Sequence, residues 1–397
     1  MTHDTTGRLP RTVWVLGLVS LFMDASSESV HALLPLFLTV SLGTSAATVG
    51  LIDGVGEAVA SIAKMFSGYW SDRLGRRKPL VLLGYGLAAL SKPLFPLATS
   101  ATTVFAARFA DRIGKGLRGA PRDALVADVT PPDMRGRAFG LRQALDTVGA
   151  FLGPLAAIGL MAAFADNMRL VFWVAAIPAL VAVLFVLFGI EDHDVPPAQR
   201  VVRPPLRLRD LAGLSGEFWQ VILFAVAFML ARFSEAFLVL KASAVGLPLT
   251  LAPLVLVVMS AVYAAGSYPA GAWADRAPPR RLLMAGLACL VAADLVLASA
   301  ASIAATFAGI ALWGAHMALS QGLLAKLVAE RAPGDLRGSA FGVFHLTTGL
   351  ATLAASVIAG VLWDWQGAGA TFVAGAGFAA IAALLAWRTR FPTATRI

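Results

Sequence analysis

Apolar residues run in windows of about twenty through most of this chain, broken by short polar or charged segments. A helix needs about 20 mainly apolar residues to cross the hydrocarbon core of a membrane. By that measure the pattern predicts about twelve spans. The first six are 12–40, 47–71, 79–98, 101–124, 138–162 and 169–190, and the second six are 215–241, 250–271, 281–300, 303–328, 340–362 and 369–388. Between the sets lies "EDHDVPPAQRVVRPPLRLRD", 191–210, rich in proline and arginine and without apolar periodicity, which reads as a linker. The expected protein is an all-α integral membrane protein. Residues 1–190 would form one six-helix bundle, 191–214 a linker and 215–397 a second bundle.

Composition agrees. The 397 residues are 58% hydrophobic and 14% charged, where a soluble domain carries about 25% charged residues. The first apolar run follows Arg8 and Arg11, is too long for a signal-peptide core and carries Asp24 and Glu28, so it reads as a retained helix. A single cysteine, Cys289, excludes an internal disulfide, and five scattered histidines show no metal-ligand spacing, so neither metal nor cofactor is expected.

The net charge of +9 changes the picture only through its placement. Arg76, Arg77, Lys78, Arg135, Arg137, Arg280, Arg281 and Arg337 fall in loops on one side, while "SLGTSA" and "DWQGAG" on the other side have no Lys or Arg. Positive loops stay in the cytoplasm. This places both termini and the linker inside a bacterial-type plasma membrane, and it explains the basicity without nucleic acid as a partner. The expected partners are the lipid bilayer, protons and a small-molecule substrate, with the chain acting as a monomer.

The loop stretch "GYWSDRLGRR" at 68–77 is echoed by "GAWADRAPPRR" at 271–281, an offset of 271 − 68 = 203. "DVTPPDMRGRAFG" at 128–140 is echoed by "ERAPGDLRGSAFG" at 330–342, with Arg135 and Arg337 at 337 − 135 = 202. "SE" recurs at 27–28 and 234–235, offset 207. Three echoes at nearly one offset indicate two halves related by duplication, the parallel repeat of a transporter whose site lies between its halves.

On these residues the chain resembles the major facilitator superfamily. Gly68, Asp72, Arg73, Gly75, Arg76 and Arg77 match that superfamily's loop motif between its second and third helices; in the second copy Pro278 and Pro279 replace the glycine region. "RIGKG" at 112–116 is similar to the family's R-x-x-Q-G, with Arg112 as the arginine and Lys115 where glutamine is usual. "GAFLGP" at 149–154 resembles the antiporter motif G-x-x-x-G-P through Gly149, Gly153 and Pro154, with Ala156 and Ala157 in place of the usual final glycines. The resemblance implies a secondary active transporter working by alternating access, and its antiporter motif points to export.

The residues themselves suggest how. Charges at membrane depth cost several kcal/mol unless paired or hydrated. Asp24, Glu28 and His31 share one face of the first span, and Asp53 and Glu57 form a second acidic pair on the next. Desolvation and a second acid nearby both favour a carboxyl that can hold a proton, so Asp24, Glu28 and Glu57 are the candidates for proton coupling. Arg112, Arg232 and Glu235 are the candidate charge partners lining the substrate cavity. Arg108, Asp111, Arg142 and Asp146 read as a fixed salt-bridge network.

The loop motif reads as a gate. Gly68 would let helices approach closely, and the basic run would pair with Asp123 or Asp128 to latch the two halves on the cytoplasmic side. Gly149, Gly153 and Pro154 suggest a kinked, tightly packed seam. With no nucleophile–base set and no G-x-x-x-x-G-K-[ST] loop, an enzyme or an ATP-driven pump is not expected. The leading expectation is a proton-coupled exporter of small organic compounds. The alternative is a proton symporter or facilitator importing a small metabolite or anion.

Overall fold

The computed structural model of the protein describes residues 9–191, 211, 213–274, 277–320, 323–332 and 336–388. Its helices, in chain order, are α1 (Arg11–Leu36), α2 (Ala46–Leu74), α3 (Lys78–Ser91), α4 (Leu94–Leu97), α5 (Ala101–Val129), α6 (Arg135–Ala163) and α7 (Met168–Gly189). Beyond the linker come α8 (Gly216–Leu230), α9 (Ala236–Ala244), α10 (Leu254–Ala274), α11 (Pro279–Ser299), α12 (Ile303–Ser320), α13 (Leu323–Arg331), α14 (Arg337–Gln366) and α15 (Ala368–Arg388). Among the described residues, ten segments are long and apolar enough to cross a membrane. Large apolar side chains such as Leu90, Ile177, Phe188, Leu223 and Ile381 are exposed on their surfaces, where lipid is the solvent that suits them.

Two predicted spans are not among the ten, and each has a physical reason. The first is α5, which carries Arg108, Asp111, Arg112, Arg118 and Arg122 along its length. It forms because these charges find partners inside the protein, and it runs on to Val129, past the expected limit at 124. The second is the expected span 215–241, which breaks into α8 and α9. No Pro or Gly lies in 231–235. A side chain from a distant helix and one in the break itself hold it instead: the Ser234 N–H donates to Ser356 Oγ at 3.2 Å, and the Ala236 N–H donates to Ser234 Oγ at 3.1 Å. Hydropathy cannot register such a break, because its cause lies more than a hundred residues away. The expected span 303–328 is taken up by α12 and α13, on either side of residues 321–322, which lie outside the described residues.

The described chain forms two compact units. One takes the residues up to His31 and those from Val59 to the linker; the other takes Ala32–Ala58 with the residues beyond the linker. Residues 32–58 therefore group with the second unit, although chain order puts them in the first bundle. The start of α2 is pressed onto α14: a Cβ on Gly50 would sit 2.1 Å from the Ser356 carbonyl oxygen. The Asp364 carboxylate accepts the free N–H groups of Ala46 (2.9 Å) and Ala47 (2.8 Å), capping α2.

In the first unit α3 lies along α5, where Gly84 meets the Gly114 carbonyl, around a core that includes Leu16, Val19, Val81, Ala88 and Val126. In the second unit α11 packs between α12 and α15. The expected linker falls largely on 192–210 and 212, outside the described residues. So do Asp275 and Arg276 of the second loop echo and the side chain of Arg337.

Candidate transport site

The site of the first unit begins with backbone packing. A Cβ on Gly149 would lie 2.3 Å from Leu21 O, and one on Gly153 2.6 Å from Ala25 O. Only glycine lets α6 lie this close to α1. The Ser29 hydroxyl sits between Ala25 O (2.7 Å) and Gly153 O (2.8 Å) and helps join the two helices. This seam turns the half-buried Asp24 toward Asp146 of α6, with Arg118 and Lys115 in electrostatic reach.

Asp146 in turn lies 3.8 Å from Arg122 Nη1 and 3.9 Å from Arg142 Nη1. Asp123 is taken up by Arg122 Nε (3.3 Å) and Arg142 Nε (3.7 Å). Arg122 also donates to Ser20 Oγ at 3.0 Å, and the Arg118 guanidinium lies 4.6 Å from the centre of the Tyr85 ring. One turn further along α1 the surroundings change sign. Glu28 Oε2 meets His31 Nδ1 at 3.4 Å, with Arg112 and Lys115 acting on it. Deeper still, Lys92 Nζ binds Asp111 Oδ1 at 2.9 Å and Ser27 Oγ at 3.0 Å, both charges being fully enclosed. Arg112 Nε stands 4.0 Å from Asp111 Oδ2.

Asp24 and Glu28 therefore share a helix face but not an environment. Asp24 faces another acid, and Glu28 faces bases. Arg112 acts on Glu28, while Asp24 turns to Asp146. Sequence reasoning left Asp146 in a structural network and did not single out Arg118, Arg122 or Tyr85. The only signal for Lys92 was a lone cation near the end of an apolar run.

Glu57, the third candidate acid, stands on the part of α2 that belongs to the second unit, one turn from buried Asp53. Asp53 Oδ2 accepts the Ser234 hydroxyl at 2.7 Å, tying α2 to the α8–α9 break. Arg232 lies in that break, with Glu235 and Tyr263 acting on it and the Phe228 ring 6.0 Å away. Glu235 is the residue that leads into α9 rather than a mid-helix acid like Glu28.

The loop motif is assembled around Arg77. Its guanidinium contacts Asp72 Oδ1 (2.5 Å), Ser71 Oγ (2.7 Å) and Asp128 Oδ2 (3.3 Å), joining the ends of α2 and α5 to the start of α3. Gly75 adopts φ +68°, a left-handed turn that ends α2. Lys78 Nζ caps the end of α7 through Leu187 O (3.1 Å) and Ile190 O (2.6 Å). Arg73 Nη1 lies 3.5 Å from Tyr69 Oη. Of the two partners the sequence suggested, Asp128 meets Arg77, whereas Asp123 belongs to Arg122 and Arg142. Gly68 is not needed for close packing here: a Cβ there would make an ordinary 3.5 Å contact with Ala120. Among the described residues no three His, Cys, Asp or Glu side chains form a group able to hold a metal.

Residues 16–261 and 221–396 match the family model described as Major Facilitator Superfamily. The chain belongs to the major facilitator superfamily. It is 30% identical over 393 residues to an uncharacterized MFS-type transporter of Methanocaldococcus jannaschii, covering 96% of each. It is 31% identical over 172 residues to the multidrug resistance protein MdtH of Photorhabdus laumondii, which is 43% of this chain and 40% of that protein. In fold it is similar to the crystal structure of a D-xylose–proton symporter, with a TM-score of 0.73, 17% identity and coverage of 96% of this chain and 97% of that one. As a member of this superfamily the protein is a multi-pass membrane transporter of small molecules and not an enzyme.

Proposed function

We propose that this transporter exports small organic compounds, cationic or partly apolar, in exchange for protons. The observation that carries the proposal is the Asp24–Asp146 pair, two carboxyls facing one another between membrane-spanning α1 and α6. Facing carboxyls can share one proton and titrate as a unit. When that proton leaves, the pair gains one negative charge against its surrounding arginines, which favours a cationic substrate. Proton and substrate then compete for one site, which is the physical requirement for antiport. Glu28 with His31 provides a second proton-holding group one turn away, with Arg112 setting its charge balance. Glu57, Arg232 and Glu235 serve as charge partners contributed by α2 and the α8–α9 break.

Export is supported by the α1–α6 seam at Gly149, Gly153 and Pro154, and by the similarity to a protein named for multidrug resistance. The Arg77-centred motif acts as a cytoplasmic clasp that fixes the ends of α2, α3 and α5 within the first unit, with both termini on that side of a bacterial inner membrane and the monomer as the working unit. The test uses purified protein in liposomes loaded with a pH-sensitive dye and supplied with a fluorescent lipophilic cation. Antiport predicts opposite movement of protons and the cation. Movement of both in the same direction contradicts it.

A further inference from the structure

The duplication gives a register in which the two halves can be compared side chain by side chain. At offset 202, Gly84 and Gly114 correspond to Gly286 and His316 (84 + 202 = 286; 114 + 202 = 316). Both pairs are in contact: a Cβ on Gly84 would lie 2.7 Å from Gly114 O, and His316 Nδ1 meets Gly286 O at 2.8 Å. The first residues of α5 and α12 obey the same offset, 101 + 202 = 303. In this register Lys92 and Asp111 correspond to Asp294 and Trp313 (92 + 202 = 294; 111 + 202 = 313).

In the first half the buried charges neutralise each other at 2.9 Å. In the second half an acid replaces the lysine and an indole replaces its partner. Asp294 of α11 is fully enclosed by protein, and neither of its carboxyl oxygens has a hydrogen-bond partner among the described residues. A Cβ on Gly375 of α15 would lie 2.7 Å from Asp294 Oδ2 and 2.8 Å from the Phe233 ring, so Phe233 of the α8–α9 break is beside the acid. That ring lies 5.3 Å from Trp313 of α12 and 5.5 Å from Phe372 of α15.

Among the described residues, no charged group acts on Asp294 from any of these elements. The nearby cation Arg232 acts on His316 instead. The Trp313 Nε1 and His316 Nε2 atoms are likewise buried and unpartnered. An isolated ionised carboxylate in such surroundings is prohibitively costly. A hard metal cation would need about six oxygen ligands, and the phenylalanine, tryptophan and glycine neighbours supply no side-chain oxygen. A proton needs no such ligand set.

We propose that Asp294 is a proton-binding site of the second half, its carboxyl neutralised by a proton where Lys92 and Asp111 neutralise each other in the first. The site is separate from the Asp24–Asp146 face and stands or falls independently of it. Phe233 covers the acid from a non-helical segment, so movement of the α8–α9 break is the route by which that proton exchanges with water.

The test is infrared spectroscopy of the protein in liposomes at neutral pH, comparing wild type with Asp294→Asn. The wild type should show a protonated-carboxyl C=O absorption that the variant lacks, with helical content and thermal midpoint unchanged. Should Asp294→Asn not fold, Asp294→Leu provides the same comparison, because a neutral carboxyl yields to an apolar side chain of similar size. Identical carboxyl bands in wild type and variant would overturn the proposal. So would a wild type lacking the band and stabilised against heat by Na⁺ or K⁺.

Discussion

Lys92 and Asp111 show what a charge inside this protein requires. Each is enclosed, and each is tolerated because the other lies 2.9 Å away. Removing one partner from such a pair typically costs about 3–5 kcal/mol, whereas replacing both by apolar residues is often neutral. Lys92→Ala should therefore lower the thermal midpoint strongly in detergent, and Lys92→Met combined with Asp111→Leu should recover most of the loss. A double variant no more stable than the single one would remove the ion pair from the account. Asp24 was legible as a candidate because its spacing from Glu28 and His31 puts all three on one helix face. Its partner Asp146 was not, since that contact depends on where α6 docks, which the sequence near Asp24 does not record.

At the scale of elements, hydropathy found the helices whose faces meet lipid and misjudged those shaped by internal partners. The charges of α5 lower its apolarity, yet the helix forms because groups on α1, α3 and α6 take up those charges. The α8–α9 break is made by Ser356 and Asp53, which no local window contains. The α1–α6 seam can be tested by bulk at chosen positions on one helix. Gly153→Leu would drive a side chain into Ala25 O, whereas Gly159 has nothing within 4 Å of its would-be Cβ. Gly153→Leu should abolish transport or folding, and Gly159→Leu should behave as wild type. Equal behaviour of the two would contradict a seam defined by close backbone approach. At the cytoplasmic motif, Asp72→Asn leaves Arg77 with Asp128 and Ser71. It should preserve expression, sharply reduce transport and raise cysteine labelling from the cytoplasmic side. Normal transport with unchanged labelling would leave the motif a structural turn only.

At the scale of the whole molecule, duplication was readable from three echoes, and the membrane from composition alone. The grouping of residues 32–58 with the second unit was not readable, because it follows from Gly50 and from the Asp364 cap rather than from any boundary in the chain. The central claim is that the Asp24–Glu28 face of α1 carries the coupled proton. Its most direct test measures two fluxes of a lipophilic cation in liposomes, for wild type, Asp24→Asn and Glu28→Gln: uphill movement driven by a pH gradient, and exchange without one. The neutral amides mimic carboxyls that never release a proton. Asp24→Asn should lose uphill movement and weaken exchange, because the amide fixes the pair in the form that competes with the cation, and Glu28→Gln should show a smaller loss of both. Uphill transport retained in both single variants and in the double variant would contradict the claim.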